Sequence, residues 1–210
     1  YSDPDIIFNN EGVCNHCLRY ESLVSSRVFD GIEGEKELNS LIIKIKKEGK
    51  NKDYDCLIGV SGGVDSTYVA YLLKKRGLRP LAVHFDNGWN SELAVSNIQS
   101  LVDYCGFDLH THVVDWEEMQ DLQLAYLKSG IPNQDVPQDH AFFASLYRYA
   151  VKNNIKYILS GGNTATEGIY PTSWEGSAMD AINLRDIFRK FGTKKLKTYK
   201  TISFFQYYIW

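Results

Sequence analysis

The chain has 210 residues, 44% of them hydrophobic and 23% charged, enough for one sizeable core and a small appendage. Its formal net charge of −3 gives no general attraction to nucleic acid, and no apolar run is long enough to span a bilayer. Four cysteines in a chain of this size do not read as a disulfide framework, and with no export signal ahead of them the expected compartment is the cytoplasm.

Residues 1–33 read as a small irregular segment marked by Pro4, Gly12 and the pair Cys14-Asn15-His16-Cys17. Tyr1 is no initiator, and the aromatic run at 204–210 wants a partner surface, so both ends read as cuts in a longer chain or as ends covered by another subunit. Residues 34–53 form a lead-in helix and linker, with Leu38, Leu41, Ile42 and Ile45 at helical spacing and Gly49 as the stop. From 54 to 210, short apolar runs alternate with amphipathic stretches. Strands are predicted at 56–60, 81–85, 109–114 and 157–160. Helices are predicted at 66–76, 92–104, 116–128, 139–152 and 178–191, with Asn90 or Ser91 capping the second and Gly77, Gly106 and Gly192 closing the first, second and last. This order predicts an α/β fold, a Rossmann-like parallel sheet with helices on both faces, in which ligands gather at the carboxyl ends of the strands.

Three unusual segments stand at such ends. The first runs Val60-Ser61-Gly62-Gly63-Val64-Asp65-Ser66-Thr67. Two glycines let the backbone turn tightly and approach an anion, and free N–H groups at a helix start face it with the helix dipole behind them. The hydroxyls of Ser61, Ser66 and Thr67 add donors. Asp65 would repel bare phosphate and makes sense as a magnesium ligand. No Gly-Lys-Ser/Thr closes the loop, so it is not a Walker A sequence. The plain alternative is a tight strand-to-helix turn with Asp65 or Ser66 as its cap.

The second segment, Phe85-Asp86-Asn87-Gly88-Trp89, offers Phe85 and Asp86 to a nucleotide, or is only an Asp-Asn-Gly turn. The third, Gly161-Gly162-Asn163-Thr164-Ala165-Thr166-Glu167-Gly168, again places glycines after a strand, then an amide, hydroxyls and a carboxylate. Glu167 is a magnesium ligand candidate beside Asp65, and Asn163 and Thr164 are candidates to hold phosphate or activated substrate.

The first segment resembles the SGGxDS motif of the PP-loop ATP pyrophosphatase superfamily. That resemblance implies ATP and Mg2+, cleavage between the α- and β-phosphates, and adenylation of a carbonyl or carboxyl oxygen, with Asp65, Asn163 and Glu167 as catalytic residues. Gly59 to Tyr68, Asp86-Asn87-Gly88-Trp89-Asn90, Pro137-Gln138-Asp139-His140, Thr166-Glu167-Gly168, Pro171 to Trp174 and Phe191-Gly192, with Cys14 and Cys17, make the chain similar to the N-acetyl sugar amidotransferase family. This narrower resemblance implies that ATP activates the acetamido oxygen of a nucleotide-linked sugar and that ammonia then gives an acetamidino group for surface-polysaccharide synthesis. Ammonia would come from a separate glutaminase subunit through a synthase-like channelling partner.

Family members carry an earlier Cys-x-x-Cys that would complete a zinc site with Cys14 and Cys17; one pair alone cannot build a tetrahedral site. His16 is a possible third ligand. Asn87 and Trp89 are substrate candidates. Asp139 and His140 are candidates too, with Asp139 as an N-cap the competing reading. Trp174 would stack on a sugar or base, or serve as a core residue. The basic run Arg185, Arg189, Lys190, Lys194, Lys195, Lys197 and Lys200 is either an anion-facing surface or a solvated face. A tRNA-thiolating enzyme and a non-catalytic nucleotide-binding module are the competing functions.

Overall fold

The computed structural model describes residues 3–171, 173, 174 and 177–209. Four strands, β1 (Cys56–Gly59), β2 (Pro80–Asp86), β3 (Asp108–Val113) and β4 (Ile158–Leu159), pair in parallel in the order β3-β2-β1-β4. Leu57 of β1 lies opposite Leu81 on one side and Ile158 on the other. Helix α3 (Val64–Lys75) joins β1 to β2, and α4 (Glu92–Cys105) joins β2 to β3. The chain then passes through α5 (Trp116–Ser129) and α6 (Val136–Lys152) and returns to the free side of β1. Strand order therefore reverses at β1, and the crevice beyond the carboxyl ends of β1 and β4 is the switch point where such sheets bind ligands.

Both faces of the two central strands, β1 and β2, are covered, which is why they read as continuous apolar runs, whereas the edge strand β3 is partly exposed. Cys56, Ile58, Val60 and Ala82 face Ala70 and Leu73 of α3, Ile98 and Leu101 of α4, and Ile42 and Ile45 of α2 (Gly31–Gly49). Leu57, Leu81 and Val83 face Leu146 and Ala150 of α6 on the other side. Beyond them α5 packs on α8 (Ala181–Phe191) through Met119, Leu122, Leu184 and Ile187. The local signals act as expected at α4, where Ser91 Oγ accepts from Ala94 N at 3.1 Å and Gly106 closes the helix at φ 64.

The N-terminal segment departs from the expectation of irregular chain. Residues 15–27 form helix α1 (Asn15–Arg27), and α2 begins at Gly31. Cys14 caps α1, its sulfur accepting from Cys17 N at 3.4 Å. Only His16 of α1 is buried, so the helix has no apolar stripe to announce it. It is held by polar ties to a short helix α7 (Thr164–Glu167) and the chain just after it: Tyr20 Oη donates to Ala165 O at 2.7 Å, and the Arg19 guanidinium donates to Tyr170 O.

Helix α6 starts a turn before the predicted Asp139, with Asp135 in the cap position and Pro137 in its first turn. After α8 the chain crosses back over α5 as a strap. Glu118 accepts from Lys197 N, Thr198 N and Tyr199 N at 2.7, 2.9 and 3.1 Å. Asp121 accepts from Thr193 N and Lys194 N, each at 2.7 Å. Both carboxylates are buried. Residues 204–209 form a last short helix, α9 (Phe204–Ile209), with Phe205, Tyr208 and Ile209 exposed; Tyr1 and Trp210 lie outside the described residues.

Candidate active site at the switch point

Beyond Val60 the chain turns through Gly62 at φ 77 and enters α3 at Val64, so Gly63 holds the N-cap position. Asp65 and Ser66 are therefore within the first turn and neither is the cap. The Ser66 hydroxyl donates to Gly63 O at 3.2 Å and lies 3.2 Å from Ser61 Oγ, and Ser61 N donates to it at 3.3 Å, so the two serines brace the loop. The N–H groups of Val64, Asp65 and Ser66 have no acceptor within the helix and start its dipole. Gly161, at the end of β4, packs on this turn: a Cβ there would sit 2.6 Å from Ser66 N. Two glycine-bearing loops thus meet backbone to backbone.

The loops form one wall of a cavity of about 1420 Å³. That exceeds the 300–1,000 Å³ or so of a usual small-molecule pocket, leaving room for a nucleotide and a second substrate together. The same cavity is lined by residues 132–135 and the first turns of α6, with Gln138, Asp139, Phe142 and Phe143, which form its floor. Phe142 reaches it because β1 ends in Gly59, where a Cβ would lie 2.4 Å from the Phe142 ring. Asn87 is buried and donates from Nδ2 to Gln138 Oε1 at 2.7 Å, tying the loop after β2 to α6. Among the described residues the lining contains four carboxylates, Asp65, Asp135, Asp139 and Glu167, and no lysine or arginine. Burial, reinforced by the Asp135 charge, pushes the Asp139 carboxyl up to about 6.

The structure brings many of the candidates together. Val60, Ser61, Gly63, Val64, Asp65 and Ser66 line the cavity with Phe85, Asn87, Asp139, Gly161, Gly162, Glu167 and Trp174. Others lie elsewhere. Gly62 is backed against α4, where a Cβ would come within 2.3 Å of Ala94 O, and Thr67 N is used within the helix turn on Gly63 O. Asp86 braces its own turn, accepting from Gly88 N at 3.0 Å and Asn90 Nδ2 at 2.8 Å, as the plain turn reading has it. Trp89 leaves the site for the surface, edge-on to Trp116. Asn163 is the cap of α7, accepting from Ala165 N at 3.1 Å, and with Thr164 it lines a second cleft of about 690 Å³ that meets the first at Asp65, Gly161 and Gly162.

His140 is fully buried and structural: Nδ1 lies 2.7 Å from Ala178 O, and Nε2 accepts from Ile202 N at 3.1 Å. Burial holds its pKa below the ordinary value, in keeping with a neutral ring that donates at one nitrogen and accepts at the other. The basic C-terminal run does not reach the cavity; Arg189 and Lys190 pair with Asp186, and Lys194 with Glu117. Of the segment from Pro171 to Trp174, Thr172 lies outside the described residues.

A family model described as "Queuosine biosynthesis protein QueC" matches residues 55–183, more than half of the chain. The chain belongs to the QueC family. With its SGGxDS loop this places it in the PP-loop ATP pyrophosphatase superfamily. Curated relatives of this QueC-family chain include a tRNA(Ile)-lysidine synthase of Chlamydia pneumoniae, 34% identical over 97 residues, which are 44% of this chain and 27% of that protein. A tRNA-specific 2-thiouridylase MnmA of Yersinia pestis is 30% identical over 99 residues, 41% of this chain and 26% of that protein. The chain spans about a quarter of the length of these relatives. Among solved structures, an NH3-dependent NAD synthetase from Campylobacter jejuni aligns at a TM-score of 0.45 and 18% identity, over 63% of this chain and 58% of that one, too distant to bear on function.

The site of this QueC-family chain fits a triphosphate at its phosphate end. Gly63 and Gly162 present bare backbone to the cavity: a Cβ on Gly63 would meet only Ser61 Oγ at 3.4 Å, and one on Gly162 only Ser160 Oγ at 3.5 Å and Glu167 Oε2 at 3.9 Å. The Asp65 and Glu167 carboxylates are of the kind magnesium takes together with phosphate oxygens and water. Among the described residues the cysteine pair gains no further metal ligand. Cys14 and Cys17 have their sulfurs 3.5 Å apart, but His16 is turned to Asp3. Among the described residues no three His, Cys, Asp or Glu side chains come together to hold a metal ion. The sequence reading missed Gln138 and the stretch 132–135 as cavity walls; the polar Asn133-Gln134-Asp135 run ahead of an apolar helix was the available signal.

Proposed function

We propose that this protein is an enzyme that uses ATP, releasing AMP and pyrophosphate, to activate an amide or carboxyl oxygen of a polar substrate for attack by ammonia. The substrate in this reading is the acetamido group of a nucleotide-linked N-acetyl sugar. The observation that carries it is the continuity, in one cavity, of the phosphate loop with a floor rich in side-chain amides and free of lysine and arginine among the described residues. Amides of Asn87, Asn133 and Gln138 suit hydroxyl and acetamido groups, which offer donors and acceptors but no charge. A floor with acidic groups suits a polyanionic RNA poorly.

In this reading the N–H groups of Val64, Asp65 and Ser66 and the Ser61 hydroxyl hold the phosphates, while the Ser66 hydroxyl, donating to Gly63 O, braces the loop. Asp65 and Glu167 would hold magnesium, which when bound offsets phosphate charge and favours departure of pyrophosphate. Phe142, Phe143 and Trp174 keep water from the activated carbon. The acetamido oxygen leaves with AMP, and ammonia nitrogen takes its place as an amidine. Ammonia from a separate glutaminase subunit, passed on by a synthase-like partner, belongs to the same proposal.

The experiment is to supply purified protein with ATP, Mg2+, ammonium and a UDP-N-acetyl sugar, and to identify the nucleotide and weigh the sugar. AMP together with a mass loss of about one dalton, oxygen replaced by NH, is expected. ADP, or no substrate-dependent AMP, would reject it. A second reading, modification of tRNA or of a nucleoside precursor, draws on the QueC match and the names of the two curated relatives. Substrate-dependent AMP formation with tRNA and not with the sugar would favour it.

A further inference from the structure

One cavity carboxylate sits on a turn fastened at several points and yet has no hydrogen-bond partner among the described residues. Gln138 is tied to Asn87, and His140 is clamped between Ala178 O and Ile202 N. Pro137 O accepts from Tyr199 Oη at 2.7 Å, fastening the same turn to the C-terminal strap. The residue between these anchors, Asp139, points its half-buried side chain at the cavity, and its carboxylate has no hydrogen-bond partner among the described residues. A fixed turn that leaves one half-buried carboxyl unpaired in the same cavity as a phosphate loop is the arrangement a proton acceptor needs.

We propose that Asp139 is the catalytic base that takes the proton from the attacking nitrogen. This rests on the amidation reading above. Attack by ammonia forms one C–N bond and leaves the nitrogen positively charged. The bond from the activated carbon to the oxygen carrying AMP then breaks, and its electron pair departs with that oxygen. One proton must leave the nitrogen before the product can form; the Asp139 carboxylate accepts it, becomes a neutral acid and later returns it to water. Its charged and titratable neighbours are Asp135, at the cap of its own helix, and Tyr199 from the strap; the same cavity is also lined by Asp65 from the phosphate loop, His84 from β2, and Glu167 and Tyr170 from the loop after β4. Burial and the Asp135 charge keep the carboxyl near 6, where it is a stronger base than an ordinary aspartate and still ionised at neutral pH.

The test separates activation from transfer. Asp139→Asn is nearly isosteric. It is expected to keep UDP-N-acetylglucosamine-dependent exchange of labelled pyrophosphate into ATP within about twofold, while ammonia-dependent product formation falls by roughly 100-fold or more. The wild-type transfer rate should decline on the acid side with a midpoint near 6, and that limb should be absent from the variant. Hydroxylamine, a nucleophile largely unprotonated at neutral pH, should restore much of the variant's transfer. Transfer at the wild-type rate, an unchanged acid limb, or equal loss of exchange and transfer would overturn the assignment. Absence of exchange in the wild type with any UDP-N-acetylhexosamine would instead remove the amidation reading beneath it.

Discussion

Gly62 and Gly63 are adjacent, chemically identical and both part of the phosphate loop, but the structure assigns opposite consequences to their replacement. Gly62 sits at φ 77, a conformation that costs an L-residue roughly 1–2 kcal/mol. A Cβ there would come within 2.3 Å of Ala94 O, so the first turn of α4 must retreat by about 1 Å to reach ordinary contact. That retreat also strains the 3.1 Å bond from Asn97 Nδ2 to Gly62 O, a contribution of about 0.5–1.5 kcal/mol. Gly62→Ala should therefore lose roughly 2–3 kcal/mol, seen in urea as a midpoint lowered by about 1 M. Gly63 has φ −79, open to any residue, and an added methyl meets only Ser61 Oγ at 3.4 Å. Gly63→Ala should stay within about 0.5 kcal/mol of wild type. Its methyl stands on the cavity wall, however, so calorimetric titration with ATP should show weakened binding. Equal stability losses in the two variants, or a larger loss in Gly63→Ala, would refute this account of the loop.

Glu118→Ala would leave the N–H groups of Lys197, Thr198 and Tyr199 without their acceptor; only Tyr199 is buried, so that group costs about 1–3 kcal/mol and the other two, which water reaches, less, and denaturation should show a loss of about 2 kcal/mol, with Glu118→Gln milder; a change under 1 kcal/mol would contradict the role given to the strap. For Asp121, burial raises the carboxyl pKa, but the N–H groups of Thr193 and Lys194 and the Thr193 hydroxyl outweigh it and leave the value below its ordinary 3.8. The stabilisation is thus complete above the ordinary value and disappears as pH falls through the lowered one, so the drop in melting temperature between neutral pH and about pH 3 should shrink in Asp121→Asn. Asp65→Asn should melt like wild type but release no pyrophosphate in the amidation assay; unchanged turnover would sink its assignment to magnesium.

The sheet was legible because its central strands β1 and β2 are buried on both faces and its helices carry local start and stop signals, as Ser91, Gly106 and Gly77 show. The phosphate loop was legible for a related reason: its glycines and serines act through their own backbone. What stayed hidden depends on distant partners. Helix α1 has no apolar stripe and is held by bonds to residues far along the chain. His140 carries the residue type of an active-site base, but its ring is saturated by Ala178 and Ile202, whereas its neighbour Asp139 is not; nothing local distinguishes them. Asn163 reads as a ligand for phosphate and is used instead to start α7. Gly62 and Gly63 differ only because Ala94 is where it is.

The bond between Arg19 and Tyr170 joins positions 151 residues apart, and Tyr20 reaches Ala165 across 145. Within the Ser61 loop, by contrast, the two serines brace each other across five positions, and the one longer hydrogen bond, from Asn97 Nδ2 to Gly62 O, spans 35. Closing a long stretch of chain before it gains any contact is slow, so the two walls of the cavity should mature on different clocks. During synthesis the phosphate loop can take shape as soon as its strands emerge, while α1 waits for the chain beyond β4. Of the whole cavity, the floor that carries Asp139 is the last to be fastened, because Tyr199 and Ile202 tie down its first turn.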